Sequence, residues 1–362
     1  MSGPTMKGLL LAGGHGTRLR PLTFTGNKHM VPIANEPMLF YGLRHLADAG
    51  IHDVAIILGP IREGIPEVVG DGSAFGLRVT YITQGEPKGL AHAVLCAREF
   101  LGDDPFVMYL GDNLLQDGAR PLVERYRTAP SDAVIGVTPV QSPSSYGVVE
   151  LEGERIVSIV EKPPNPRSNL ALIGVYLFTP KIHDIIRDLK PSARGELEIT
   201  EAIWQLHKQG GHLEVQRVSG WWKDTGRPSD LLEANDLVLR TRPPTYFRLD
   251  GEVAPGAELK GHVALGRGSS VAAGASIEGP VVIGSGVRIE AGSRIGPATA
   301  IGDHCVIGGS SVRNAIIMKS TVIEGPFEVV SSIVGQFARL RAKESRGVRL
   351  SCVLGDSSQI EV

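Results

Sequence analysis

An apolar residue stands at every sixth position from Val253 to Ile307: Val253, Leu259, Leu265, Val271, Ile277, Ile283, Ile289, Ile295, Ile301 and Ile307. A helix repeats at 3.6 residues and a half-buried strand at 2, so neither explains the pattern. Ten in-phase aliphatics fit a parallel β-helix of hexapeptides. Each short face turns one apolar side chain inward, and three faces close a coil. Small residues follow many of them (Ala254, Gly266, Ala272, Gly284, Gly296, Gly302). After Ser310 the register slips, and the apolar stretches 315–318, 329–334 and 348–354 read as degraded coils.

Ahead of Arg240 the periodicity is different. Short apolar segments at 7–12, 54–58, 78–82, 105–110, 132–140 and 171–178 read as strands, and 38–49, 92–100 and 199–209 read as helices between them. This alternation predicts a Rossmann-like α/β domain with a mostly parallel sheet covered by helices. Thr241-Arg242-Pro243-Pro244 reads as a linker, so the expected domains are 1–240 and 241–362. In such sheets ligands bind outside the carboxyl ends of the strands. Arg18, Gln84 and Asp112 each follow a strand segment and are expected to open onto that crevice.

The first strand runs straight into Gly13-Gly14-His15-Gly16-Thr17-Arg18-Leu19-Arg20-Pro21. Glycines let backbone N–H groups approach an anion, and Arg18, Arg20 and Lys28 add positive charge there. The pattern predicts a polyphosphate grip, or else an ordinary glycine-rich βα turn. It is not a Walker loop, because Thr17-Arg18 stands where Lys-Ser/Thr is needed. It is not a dinucleotide loop either, because Pro21, Pro32 and Pro37 keep the following stretch irregular.

Other candidates lie at the ends of segments. Asp112, in Leu110-Gly111-Asp112-Asn113, and Asp224, in Trp222-Lys223-Asp224-Thr225-Gly226, are hard oxygen donors suited to Mg²⁺, or else a turn residue and a helix cap. The amide of Gln84 offers a donor and an acceptor that match the imide edge of thymine or uracil, and Gly89 lets its backbone approach the same base, or else the stretch is a polar loop capping the following helix. Glu161 can accept from hydroxyls and Lys162 can neutralise a phosphate monoester, or else the two form a surface ion pair. No Ser/His/Asp or Cys/His set appears, so side-chain nucleophilic catalysis is not indicated.

A net charge of −2 gives no general attraction to nucleic acid or to an anionic membrane. Three distant cysteines, Cys96, Cys305 and Cys352, form neither a disulfide framework nor a metal spacing. The first seven residues are polar and lack a signal-peptide core, and no run of 18 apolar residues occurs. These features lead us to expect a cytoplasmic protein.

Together the motifs Leu11-Ala12-Gly13-Gly14-x-Gly16-Thr17-Arg18-Leu19-x-Pro21, Lys28, Val31-Pro32, Lys88-Gly89-Leu90-Ala91, Gly111-Asp112-Asn113, Glu161-Lys162-Pro163 and Trp222-x-Asp224-Thr225-Gly226, with the hexapeptide tail, resemble the sugar-phosphate nucleotidylyltransferases. More narrowly, the chain is similar to long-form glucose-1-phosphate thymidylyltransferases over nearly its whole length. The resemblance implies a nucleotidyltransferase domain followed by a left-handed β-helix. It implies that Leu11, Ala12, Gly13, Gly14, Gly16, Thr17, Arg18 and Lys28 bind the nucleotide, with Gly13, Gly14, Arg18 and Lys28 on the triphosphate, and that Gln84 and Gly89 read the pyrimidine. Asn113, Tyr146, Gly147, Glu161, Leu172 and Trp222 would line the sugar site, and Lys162 would take the sugar phosphate. Asp112 and Asp224 would bind Mg²⁺, and Arg18, Lys28, Lys162 and Asp112 would carry the chemistry.

The implied reaction joins dTTP (or UTP) to glucose 1-phosphate in a homo-oligomer, a trimer or tetramer, and supplies activated sugar for deoxysugar, antibiotic or polysaccharide biosynthesis. The chain departs from short-form members at His29-Met30, where Gln-Leu is usual, and at Leu172, where valine is usual. Two rival expectations are a bifunctional enzyme whose β-helix transfers acetyl groups, with His304 as the histidine it would use, and a sugar-nucleotide sensor without turnover.

Overall fold

The structure is a computed structural model that describes residues 6–59, 64–342 and 347–362. Residues 1–5, part of the polar N-terminal stretch, lie outside the described residues. The chain forms two compact units, one of Met1–His15 with Leu39–Asp224 and the other of Gly16–Met38 with Thr225–Val362.

The first unit is built on a nine-stranded sheet. Its strands are β1 (Lys7–Ala12), β2 (Asp53–Leu58), β3 (Arg78–Thr83), β4 (Phe106–Leu110), β6 (Ala133–Pro139), β7 (Gly147–Glu152), β8 (Arg155–Glu161), β9 (Leu170–Phe178) and β10 (Leu213–Arg217). The short β5 (Asn113–Leu115) and β11 (Trp222–Asp224) form a separate antiparallel pair. The sheet order is β8-β7-β9-β4-β1-β2-β3, with β6 on β9 and β10 on β6. Strands β4, β1, β2 and β3 run parallel, and β9 reverses direction against β4. In β1 and β2 every residue after the first is buried, as expected of strands covered on both faces.

The longer helices are α1 (Met38–Asp48), α2 (Leu90–Cys96), α3 (Arg120–Thr128), α4 (Lys181–Arg187), α5 (Ile199–Lys208) and α6 (Pro228–Thr241). The helix expected over 92–100 begins earlier, after Gly89, and is broken at Ala97 before a short turn Arg98–Leu101.

In the second unit the hexapeptide tail is a parallel β-helix, as the period requires and consistent with the left-handed class. One face pairs residues 252, 270, 288 and 306, each eighteen positions on. The aliphatics from Leu265 to Ile307 are buried in one continuous core. Val253, at 38% exposure, and the partly buried Leu259 are the exceptions, because the first coil has no coil beneath it.

The slip after Ser310 has a physical cause. The same face continues at 322, 339 and 359, so the coils contract to sixteen and seventeen residues and then widen to twenty. Ser311–Ile317 runs through a corner as one strand, pairing with Arg294–Ile295 and then with Ala300–Ile301. Asn314, at φ 47°, makes that corner, and Ser331, at φ 48°, makes the corner of the next coil. The Asn314 Nδ2 donates to Ser331 Oγ at 3.0 Å, which stacks the two.

The compact units divide differently from a boundary at residue 240. Helix α6 and the segment 16–38 group with the β-helix because their polar groups are satisfied there. Asn235, fully buried, accepts from the Ala34 N–H at 2.9 Å and donates to the Ala298 carbonyl at 3.0 Å. Asn35 Nδ2 donates to the Ile301 carbonyl at 2.7 Å, and Thr25 Oγ1 donates to Asp356 Oδ2 at 2.7 Å. No helix of the described residues is long and apolar enough to cross a membrane.

Candidate active site

In the first unit, residues past the carboxyl ends of parallel strands gather the expected groups. Leu11 and Ala12 are buried in β1, so only their backbone is available to a ligand. Gly13 follows, and a Cβ on it would stand 3.1 Å from Gln84 Oε1. Gln84 follows β3, and its Nε2 donates to the Gly89 carbonyl at 3.2 Å and to His92 Nδ1 at 3.1 Å. Gly89 has φ +100°, and a Cβ there would meet the Leu197 carbonyl oxygen at 2.5 Å, so only glycine fits the turn that opens α2.

Asp112 follows β4. The β5–β11 register sets Asp224 opposite Asn113, and Asp112 immediately precedes Asn113, so both acids lie at the same end of this small sheet. Asp112 Oδ1 accepts from Asn113 Nδ2 at 3.0 Å. Asn113 is buried, and its Oδ1 accepts from Trp222 Nε1 at 2.7 Å and from the Gly174 N–H at 3.2 Å. Among the described residues no group of three or more acidic, histidine or cysteine side chains could hold a metal. Two hard oxygen donors suit a divalent ion that takes its remaining ligands from phosphate and water. Enzymes of the family identified below generally use such a metal.

The residues expected at the sugar site also converge. Gly147 opens β7, and a Cβ on it would lie 2.9 Å from Thr200, 3.1 Å from Leu172 and 3.2 Å from Glu161 Oε2. The Lys162 N–H donates to the Tyr146 carbonyl at 3.0 Å, and the Tyr146 ring meets Trp222 edge-on at 5.2 Å. Lys162 Nζ lies 3.5 Å from Glu161 Oε1, and Thr200 Oγ1 donates to Glu161 Oε2 at 2.5 Å.

Sequence reasoning missed Arg194. Its Nη2 donates to Glu161 Oε1 at 3.2 Å and to the buried Glu198 at 2.7 Å, which brings a second cation to the same carboxylate. The only signal was a charged run from Arg194 to Glu198, which also fits a solvated loop.

The second unit holds the other cationic groups. Thr17–Leu19 is a single 3-10 turn rather than a helix. Gly16, at φ +62°, packs on Lys28 and Thr23, where a Cβ would come within 2.9 Å of Lys28 and 3.0 Å of Thr23. Thr23 Oγ1 donates to the Gly16 carbonyl at 2.8 Å. Gly16, Thr17, Arg18 and Lys28 therefore sit on one compact loop. The Arg18 guanidinium lies on Gly226, whose Cβ would meet it at 3.0 Å. His29 is buried, with Nδ1 2.7 Å from Asn27 Oδ1, so the residue that replaces the usual glutamine faces its own turn. The β-helix carries His262 as well as His304, and the His262 ring stacks on Phe247 at 4.8 Å.

Comparison with known proteins gives the class, a nucleotide-transferring enzyme. The chain belongs to the nucleotidyl transferase family, whose model matches residues 7–241, and a GMPPB C-terminal domain model matches 277–362. It is 45% identical to the glucose-1-phosphate thymidylyltransferase of Streptomyces antibioticus over 359 residues, 99% of each chain. It is equally similar, at 45% over 362 residues, to the low-salt glycan biosynthesis nucleotidyltransferase Agl11 of Haloferax volcanii, covering 99% of this chain and all of that one. A solved structure from Bacillus anthracis, assigned as a glucose-1-phosphate thymidylyltransferase in complex with sucrose, superposes with a TM-score of 0.62 at 38% identity, covering 66% of this chain and 96% of that one.

Proposed function

We propose that this enzyme joins dTTP to glucose 1-phosphate, forming dTDP-glucose and pyrophosphate. The observation that carries the reading is the register of β11 on β5, which sets Asp224 beside the Asp112-Asn113 pair. The near full-length likeness to a thymidylyltransferase supports the choice of nucleotide and sugar.

In this reading the backbone of Leu11 to Gly14, with Gly16, Thr17, Arg18 and Lys28, holds the triphosphate. Gln84 and Gly89 read the base. Tyr146, Gly147, Glu161, Leu172, Trp222 and Asn113 line the hexose. Lys162, with Arg194 beside it on Glu161, holds the sugar phosphate. The phosphate oxygen of glucose 1-phosphate attacks the α-phosphorus in line, that bond forms as the bond to the β-phosphate oxygen breaks, and pyrophosphate leaves with the electron pair. The cationic side chains lower the repulsion between two anions and hold them in attack geometry. Asp112 and Asp224 would hold Mg²⁺, which neutralises charge on the phosphates when bound.

A cytoplasmic setting is supported by three free cysteines among the described residues. Self-association through the β-helix is supported by its open first coil, where Leu249 is 54% exposed.

The test is a matrix of nucleoside triphosphates against sugar 1-phosphates with Mg²⁺, scored by pyrophosphate. The dTTP and glucose 1-phosphate pair is expected to lead. A clear preference for another pair would overturn the substrate assignment. Asp112→Ala should keep its melting temperature and lose about a thousandfold in turnover, the ~4 kcal/mol expected of a metal clamp. Near-normal turnover by that variant would remove Asp112 from the site.

A further inference from the structure

We infer that His92 is a positioning residue for base selection: as a neutral hydrogen-bond acceptor it fixes which end of the Gln84 amide meets the nucleobase. The inference rests on the assignment of Gln84 to the base site, and deepens it.

A side-chain amide can present either its oxygen or its NH₂, and the two ends select opposite partners. Here the surroundings decide. The Gly89 carbonyl, 3.2 Å from Gln84 Nε2, can only accept, so the NH₂ must face it. His92 Nδ1, 3.1 Å from the same nitrogen, takes the second N–H. Both amide protons are then used. Gln84 Oε1 accepts no hydrogen bond among the described residues, and it stands over Gly13, 3.1 Å from where a Cβ would be. An oxygen so placed accepts the N3–H of thymine or uracil and repels the N3 lone pair of cytosine. The NH₂ end is not available to rescue the wrong base.

The arrangement requires the His92 proton to sit on Nε2, and the structure supplies a partner for it. Cys96, one turn further along α2, places its Sγ 3.9 Å from Nε2. The chain of bonds runs Cys96 Sγ, His92 Nε2–H, His92 Nδ1, Gln84 Nε2–H, Gly89 carbonyl. Burial lowers the His92 pKa from its ordinary 6.5, and the Lys88 charge lowers it further. On the helices that pack against α2, neither His183, Asp184 and Arg187 of α4 nor Glu201 and His207 of α5 bonds to His92 among the described residues.

Protonation reverses the logic. A cationic His92 donates from both nitrogens, so Nδ1–H opposes the amide N–H. The amide must then turn, setting its oxygen against the Gly89 carbonyl, or let go of the ring. Either outcome removes the fixed acceptor. Selection for an imide base is therefore present above the His92 pKa and is lost as the pH falls through it, at a point below 6.5.

The experiment compares kcat/KM for dTTP and dCTP in the full-length wild type, H92Q and H92L between pH 8.0 and 5.5. Wild type should lose about tenfold of its dTTP preference toward the acid end, equivalent to ~1.4 kcal/mol. H92Q offers an acceptor that does not titrate, so it should keep the preference at every pH, and it also controls for titration of the base. H92L should show a preference lowered by about tenfold at all pH values, with the KM for glucose 1-phosphate unchanged. A wild-type preference that tracks H92Q across the whole range would overturn the inference, even if H92L fails to fold. If wild type makes no product from dTTP at any pH, the substrate reading fails instead.

Discussion

Gly147 shows how closely the residues of the proposed sugar site depend on one missing side chain. Three neighbours, Thr200, Leu172 and Glu161, stand within 3.2 Å of where its Cβ would be. Glu161 is also held by Thr200 and Arg194, so it cannot retreat without breaking a hydrogen bond. Adding one methyl group should push Glu161 and Leu172 apart at a typical overpacking cost of about 1–3 kcal/mol. Gly147→Ala is therefore expected to raise the KM for glucose 1-phosphate about tenfold or more while leaving the KM for dTTP within twofold. Initial-rate kinetics with each substrate varied in turn check this, and an equal rise in both constants would mean that Gly147 only supports the fold. At this scale the sequence is legible where the backbone has a special need, as at Gly89, or where an acid ends a strand, as at Asp112. Arg194 is not legible, because its role depends on Glu161, 33 positions away, and no local pattern encodes that meeting.

Elements are more legible than residues because burial on both faces leaves long apolar runs. β1 spans the expected positions, and the expected strand 105–110 is met by β4 over Phe106–Leu110. What periodicity cannot supply is the partner of each element. The stretch 16–38, with its prolines, reads as irregular, yet it contains a two-residue-per-strand hairpin, Pro32–Ile33 with Glu36–Pro37, whose turn residues Ala34 and Asn35 both have positive φ. Its stability comes from outside the segment. Asn235 on α6 is fully buried and bridges the Ala34 N–H and the Ala298 carbonyl. Asn235→Ala strands two buried backbone groups, each worth about 1–3 kcal/mol when unsatisfied. We expect a loss of about 2–4 kcal/mol in urea unfolding of the full chain, with the m-value unchanged. A loss below about 0.5 kcal/mol would mean that the hairpin finds other partners.

At the scale of the whole molecule, the β-helix was the plainest feature of the sequence and its consequence was the least visible. Ten aliphatics announce the coils, but nothing local says that the segment carrying Arg18 and Lys28 belongs to the same compact unit. Thr25, three residues before Lys28, donates to Asp356 in the last coil, and Gly355 lies against Pro21, where a Cβ would meet the ring at 3.2 Å. Asp356 is itself fixed, since its Oδ1 accepts from the Gln336 N–H at 2.8 Å. The cationic loop is thus seated on structure formed more than 300 residues later, through the Thr25–Asp356 bond at a separation of 331. If the loop here relies on the last coil, removing one contact should act on the nucleotide and not on the sugar. Thr25→Val keeps the shape and deletes the hydroxyl, so the KM for dTTP should rise about two- to fivefold with the KM for glucose 1-phosphate unchanged. A chain ended after residue 241 loses every such anchor, and its kcat/KM for dTTP should fall at least about a hundredfold, the usual cost of misplacing a reacting group by an ångström. A truncated chain that turns over dTTP within about threefold of the full-length enzyme would show that the loop needs nothing from the coils.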